Sequence, residues 1–369
     1  MQKKLIALAI ASAISAPAFA DNANFTFYGI ADVSYDSVNT GNGTTTANGA
    51  TAVTGVTKQV VSSNVSRFGF KGSEDLGDGL NAIWQVEQQI NIDDAASNTF
   101  ASRNTFAGLK GDFGTVLMGR HDTPYKISTR KLDVFADNIA DDRALLGTSK
   151  GTGGGWDQRL NNVLAYISPS LGGATVALAT ANLTEANTTN TAAKNSAVSL
   201  AAWYDVAPFY VAAAYESHKL ESVVAGGKES AARVGFGFNQ DLFEIGAAYE
   251  KTSDNLGTGA NLGVNQYGRG AYYVGGKVKF GGDAVKFAYG KVGEYGTGNL
   301  KVTDSGASQA SVGYDHGFSK RTKVYVLYTR ITNGKGVNYQ FSQNSGAAST
   351  TSGFGTSPSA ISLGLKHTF

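Results

Sequence analysis

Sixteen strand-length segments, joined by connectors that are short and long by turns, run from residue 24 to the final Phe369. They fall at about 24–36, 63–73, 80–92, 101–111, 114–121, 158–168, 173–184, 196–206, 208–219, 229–240, 242–252, 269–281, 284–294, 307–317, 322–332 and 359–369. Many alternate apolar and polar residues, so that a strand has one greasy and one wet face. In the last segment Ile361, Leu363, Leu365 and Phe369 share a face, opposite Ser362, Gly364, Lys366 and Thr368. Phe68 and Phe70 oppose Arg67, Gly69 and Lys71 in the same way. Short connectors such as 75–79, 111–113 and 281–283 take turns with long polar ones at 37–62, 93–100, 122–157, 185–195, 220–228, 253–268, 295–306 and 333–358. Every other turn therefore lies on the same side of a meander. That is the plan of an all-β, transmembrane antiparallel up-and-down barrel of about 16 strands. Pro124, Pro169, Pro208 and Pro358 all fall in connectors, as a sheet whose amides must pair requires.

The front end sets the compartment. Lys3 and Lys4, the apolar run Leu5 to Ser15 and Ala18-Phe19-Ala20 read as a signal peptide over residues 1–20, leaving 21–369 as one barrel domain. The 31 basic residues include Lys3 and Lys4, so the part beyond residue 20 carries 29 against 29 acids. That balance argues against a nucleic-acid partner. No cysteine is present, which excludes a disulfide scaffold and thiolate chemistry. Beyond the signal no apolar run reaches the length of a helical span.

No enzyme motif or cofactor site emerges. His121, His218, His316 and His367 lack metal spacing, no nucleophile elbow is present, and the glycine runs at 151–155 and 257–259 lack a phosphate-loop lysine. The wet faces carry charge instead. Arg67 and Arg103 lie about eight or nine residues from a short turn, roughly 20 Å up a tilted strand and near mid-height. Parity places Arg67 inward against Phe68 and Phe70, and Arg103 inward against Phe106 and Gly108. Glu87, on the intervening strand, is inward as well. An arginine facing lipid at that depth costs about 2–4 kcal/mol, so a water-filled bore is its expected home. The long segment 122–157 mixes Lys126, Arg130, Lys131 and Arg143 with Asp133, Asp137, Asp141 and Asp142. Folded into the lumen, it would set acids opposite the wall arginines and narrow the passage. Arg120 shares the parity of Val116 and Met118 and is read as facing a subunit interface.

The stretches Phe25-Thr26-Phe27-Tyr28-Gly29, Ser66-Arg67-Phe68-Gly69-Phe70-Lys71-Gly72, Ser102-Arg103-Asn104-Thr105-Phe106 and Tyr166-Ile167-Ser168-Pro169, with the terminal Phe369, resemble the Gram-negative general porins of neisserial and β-proteobacterial type. The resemblance implies a homotrimer of sixteen-stranded barrels in the cell outer membrane, surrounded by outer-membrane lipid and lipopolysaccharide. It implies passive diffusion of small ions and hydrophilic solutes, with the loop at 122–157 as the constriction and Arg67 and Arg103 in the basic wall facing it. Phe369 would belong to the signal read by the barrel-assembly machinery, and with Arg120 it is a candidate for the subunit interface. The expected selectivity is weakly anionic, because Arg67 and Arg103 are fixed to the wall while the loop acids can turn aside. A secreted β-rich adhesin and a substrate-specific barrel are the competing readings.

Overall fold

The computed structural model describes residues 23–94, 99–148, 155–184, 195–341 and 353–369. The expected signal peptide, the run 151–154 and parts of the loops after residues 184 and 341 lie outside those residues. Sixteen wall strands form the sheet. They are β1 (Ala23–Asn39), β2 (Thr57–Ser63 and Arg67–Gly77), β3 (Leu80–Gln89), β4 (Thr105–Gly111) and β5 (Gly114–Asp122). Next come β6 (Arg159–Ile167), β7 (Ala174–Asn182), β8 (Ser196–Val206), β9 (Phe209–Lys219), β10 (Lys228–Asn239) and β11 (Phe243–Asp254). The rest are β12 (Gly270–Phe280), β13 (Asp283–Val292), β14 (Ala307–Gly317), β15 (Thr322–Asn333) and β16 (Ser359–Thr368). Each strand pairs antiparallel with its sequence neighbours, and β1 closes the ring on β16 from Ile30↔Thr368 to Asn39↔Ser359. The backbone amide of Phe369 donates to the Gly29 carbonyl at 3.1 Å, and Gly29 returns the bond at 2.9 Å.

The period of two becomes an inverted protein. Leu363 is 60% exposed while its neighbour Ser362 is fully buried, and the same holds down most of the wall. Apolar residues point out and polar ones point in, which only a hydrocarbon surround makes favourable.

The second strand departs from the 63–73 expected for it. It spans 57–77 and is broken at Asn64-Val65-Ser66, where Val65 takes a left-handed φ of 55°. The break turns Asn64 into the lumen, where its Nδ2 donates to Ser34 Oγ at 2.9 Å and Tyr325 Oη at 2.8 Å.

The segment after β5 folds inward. Thr123 caps a short helix, α1 (Pro124–Thr129), by accepting from the Lys126 amide, with proline in its first turn. Beyond α1 the loop turns its apolar side chains onto the inner wall. Phe135, Ile139, Leu145 and Leu146 are buried among Tyr273, Val292, Leu327 and Ile331. Tyr125 and Trp156 lie on Ala201, Ala214 and Ala231. Each such burial contributes about 1.5–3 kcal/mol, enough to hold an irregular segment inside a wet bore.

Wall glycines make the seat. A Cβ at Gly246 would stand 2.1 Å from the Leu132 carbonyl oxygen, and one at Gly235 2.6 Å from Leu132 Cδ1. Gly313 makes the same allowance for Phe135.

Candidate pore constriction

The wall break and the inward loop meet at one corner. Arg67 follows the break directly; its Nη1 donates to the Val65 carbonyl at 3.0 Å and approaches Asp137 Oδ2 at 3.4 Å. Its Nε lies 3.9 Å from Glu87 Oε2. Arg103 Nε reaches the other Glu87 oxygen, and Tyr28 Oη donates to Glu87 Oε2 at 3.1 Å. Arg67, Arg103, Glu87 and Asp137 thus form one cluster.

Arg103 arrives there by a route the parity reading missed. β4 begins at Thr105, so Arg103 precedes the strand, and its amide bonds the Glu87 carbonyl one residue out of the β3–β4 register. Phe106 and Gly108 are on the inner face, not the outer. Gly108 pairs with buried Leu117, Ala107 pairs with exposed Met118, and Phe106 packs edge-on against His121. Unbroken parity would have sent Arg103 into lipid. The irregular start of β4 brings it inside.

The other loop acids turn into the loop itself. Asp141 accepts from Arg130 Nη2 at 2.7 Å and from Arg143 Nε at 2.8 Å. Asp133 accepts from Tyr273 Oη at 2.9 Å and from the Phe135 amide at 2.8 Å. Asp133, Asp141 and Asp142 offer carboxylate oxygens within 4.8 Å of one another, and Arg130 already supplies the cation above them. Burial opposes ionisation of Asp137, yet Arg130, Arg67 and Arg143 outweigh it and hold its carboxyl below the ordinary range. Burial, then the Asp141 charge, pushes Asp133 up to about 6 against the pull of Arg130. Of the four acids, Asp137 is the one that an ion pair joins to a wall arginine.

The loop's far end is held by a group that sequence reasoning did not single out. Arg233 donates to Asp157 Oδ1 at 2.7 Å and to Thr129 Oγ1 at 2.9 Å, and also binds Glu250. Its guanidinium lies 4.4 Å from the centroid of the Tyr125 ring, whose hydroxyl donates to Glu250 at 2.8 Å. Next to it Trp156 stacks on His218 at 4.6 Å, and His218 is itself flanked by Glu216 and Glu229. The inward parity of Arg233 and Glu250 was the available signal.

Toward the short-turn end the inner wall carries Lys71, Lys277, Lys286, Lys323 and Lys366. Lys286 and Lys323 share Asp315, Lys366 reaches Asp32 at 3.3 Å, and Lys277 pairs with Glu244. Arg120 stays on the outer face with Met118, but its Nε is spent on the Ser102 carbonyl at 3.0 Å and its Nη1 on Asn161. Phe369 is also outward, its ring 5.6 Å from Phe27.

Comparisons with known proteins fit this architecture. A family model described as Gram-negative porin matches residues 7–336. The chain is 28% identical to outer membrane porin protein 32 of Delftia acidovorans, over all of both chains. It is 29% identical to a major outer membrane protein P.IB of Neisseria meningitidis, over 92% of this chain and 96% of the relative. Among solved structures it superposes on an anion-selective porin from Comamonas acidovorans with a TM-score of 0.77 and 24% identity, covering 94% of this chain and all of the other.

Proposed function

The chain belongs to the Gram-negative porin family, and from that premise we propose that its outer-membrane channel passes small hydrophilic solutes and ions with a weak preference for anions. The mechanism is steric narrowing by the inward loop together with the charge that lines it. One observation carries the sign: Arg130, Lys323 and Lys366 stand in water over acids that are more deeply sunk. Arg130 keeps 23% of its side chain open over Asp133 and Asp141, which keep none. Lys323 and Lys366 keep 37% and 24% open, against 11% for Asp315 and 3% for Asp32. An acid covered by its own cation is neutralised at contact distance, whereas the cation's outer side still meets passing ions through a film of water.

Arg67 and Arg103 supply the fixed basic wall, Glu87 holds both in place, and Asp137 closes the corner from the loop. Residues 1–20 direct export, and the loop at 122–157 is the constriction of the single barrel domain. The protein works as a homotrimer, with Arg120 and Phe369 at or near the subunit contact. Phe369 also belongs to the signal that the assembly machinery reads. The adhesin and substrate-specific readings gain no observation of their own.

Planar-bilayer recordings under a salt gradient test the selectivity. Reversal potentials of anionic sign are expected, and replacing both Arg67 and Arg103 by Ser should move them toward zero. Cation selectivity in the unaltered protein refutes the proposal, and an unchanged potential in the double variant removes the pair from the constriction.

A further inference from the structure

The inner wall hides a carboxylate with nothing to hold. Asp36 on β1 is fully buried, and neither of its oxygens has a hydrogen-bond partner among the described residues. Ser62 Oγ on β2 and Ser362 Oγ on β16 are fully buried and unpartnered as well. The three residues lie on the strands that meet where the barrel closes. Asp36 is directly opposite Ser362, and Ser62 is directly opposite Ser34, the next inward residue along β1. Tyr35, Val61, Ile361 and Leu363 beside them are exposed on the lipid side, so the three polar side chains share the inner face.

The groups around them are already committed. Ser34 Oγ accepts from Asn64 Nδ2 at 2.9 Å. Asp32 accepts from Tyr325 Oη at 2.9 Å and pairs with Lys366 at 3.3 Å. No described lysine or arginine, Lys58 of the neighbouring strand included, bonds Asp36. Val38 and Ala360, one inward step along β1 and β16, and Leu327, directly opposite Ser362, close the surroundings. These three belong to the apolar cluster that seats Phe135 and Ile139 of the loop. A bare carboxylate in so dry a place is costly. A proton on Asp36 would meet the need of at most one of the four oxygens, whereas an ion among them meets all four.

We propose that Asp36, Ser62 and Ser362 bind one small monovalent cation, sodium in an ordinary saline medium. The donors are all oxygen, which suits a hard ion rather than a transition metal. An ion that holds oxygens at about 2.4 Å also bridges groups too far apart to hydrogen-bond with each other. Charge sets the valence. Lys366 offsets Asp32, so one negative charge is left on this face of β1, and a divalent ion would add a surplus that no water reaches. Bound there, sodium ties β16, β1 and β2 together beneath the loop's apolar seat. The assignment does not depend on the sign of the pore's selectivity.

The test follows thermal unfolding of the full-length protein in detergent while sodium chloride is exchanged for N-methylglucamine chloride at constant ionic strength. The bulky organic cation cannot enter so small a space, so the unfolding temperature should rise with sodium and then level off. Asp36→Asn should lose that dependence, and Ser362→Ala should need roughly tenfold more sodium for half the effect. Crystals soaked in thallium(I), a monovalent stand-in, should show an anomalous peak among Asp36, Ser62 and Ser362. An unaltered protein indifferent to sodium overturns the proposal, as does an Asp36→Asn variant that keeps the full response. A response to calcium that sodium does not give, or water alone at that place in the thallium-soaked crystal, overturns it too. Should Asp36→Asn fail to fold, Ser362→Ala and the thallium peak decide.

Discussion

Two arginine–carboxylate networks hold the inward loop, one where its two ends meet the wall and one at its middle, and water reaches them differently. At the anchor, Arg233 is 2% exposed and hydrogen-bonded to Asp157, Glu250 and Thr129 over the Tyr125 ring. At the constriction, Arg67 is 16% exposed and approaches Asp137 at the long distance of 3.4 Å. The residue types are nearly the same. A dry network is costly to leave half-made, because an unpaired buried charge has no solvent to turn to. A half-wet one holds little stability, but its field extends into the water that ions cross. The dry network therefore fixes the loop, and on the proposed reading the half-wet one sets what passes it.

The largest expected break in that contrast is Arg233→Met, which leaves Asp157 and Glu250 buried without their cation. It should cost about 3–5 kcal/mol of loop docking, seen as a lower unfolding temperature and a larger, noisier single-channel conductance. Gly246→Val comes next. Its Cβ would meet the Leu132 carbonyl at 2.1 Å, so the loop must lift. A destabilisation of about 1–3 kcal/mol is expected, again with increased conductance, whereas unchanged conductance would mean that the seat does not position the loop.

Asp137→Asn should do the reverse. It frees Arg67, shifts the reversal potential further toward anions, and, because Arg130 and Arg143 also lose their carboxylate at 2.7 and 3.1 Å, lowers stability by about 1–3 kcal/mol. Loss of anion preference in that variant would contradict the assigned polarity of the corner.

The smallest effect is with pH. Asp133, raised by burial and by Asp141 to about 6, favours the folded loop fully below the ordinary carboxylate range, and that contribution fades as pH rises through 6. Asp137 and Asp141, held low by arginines that outweigh their burial, act oppositely and withdraw support as pH falls below the carboxylate range. The unfolding temperature should therefore decline gently from pH 4 to 7, and Asp133→Asn should flatten that slope.

Much of the wall was legible because period two and turn chemistry are local. The segment 208–219 differs from Phe209–Lys219 by one residue at one end, and 269–281 from Gly270–Phe280 by one residue at each end. Arg67 and Glu87 were placed inward by parity alone. Phe106 was misplaced because an aromatic beside a glycine looks lipid-facing, and nothing local announces the irregular start of β4. Arg130 and Arg143 were read as part of the loop's mixed charge, yet they bind both Asp141 and Asp137, and Asp137 Oδ2 is left to reach Arg67. Gly235, Gly237 and Gly246 read as ordinary strand glycines until Leu132 is seen lying over them.

The sequence by itself determined a wall: how many strands, which face meets lipid, and that its polar face needs water. Those follow from alternation along single strands, a property each segment carries alone. The tertiary structure decided what stands inside the wall. The loop's position, the dry anchor at Arg233, the single loop acid at Arg67 and the inward turn of Arg103 depend on residues tens to more than a hundred positions apart meeting across a closed ring. Only closure of that ring sets how far apart they are, and how much water is left between them.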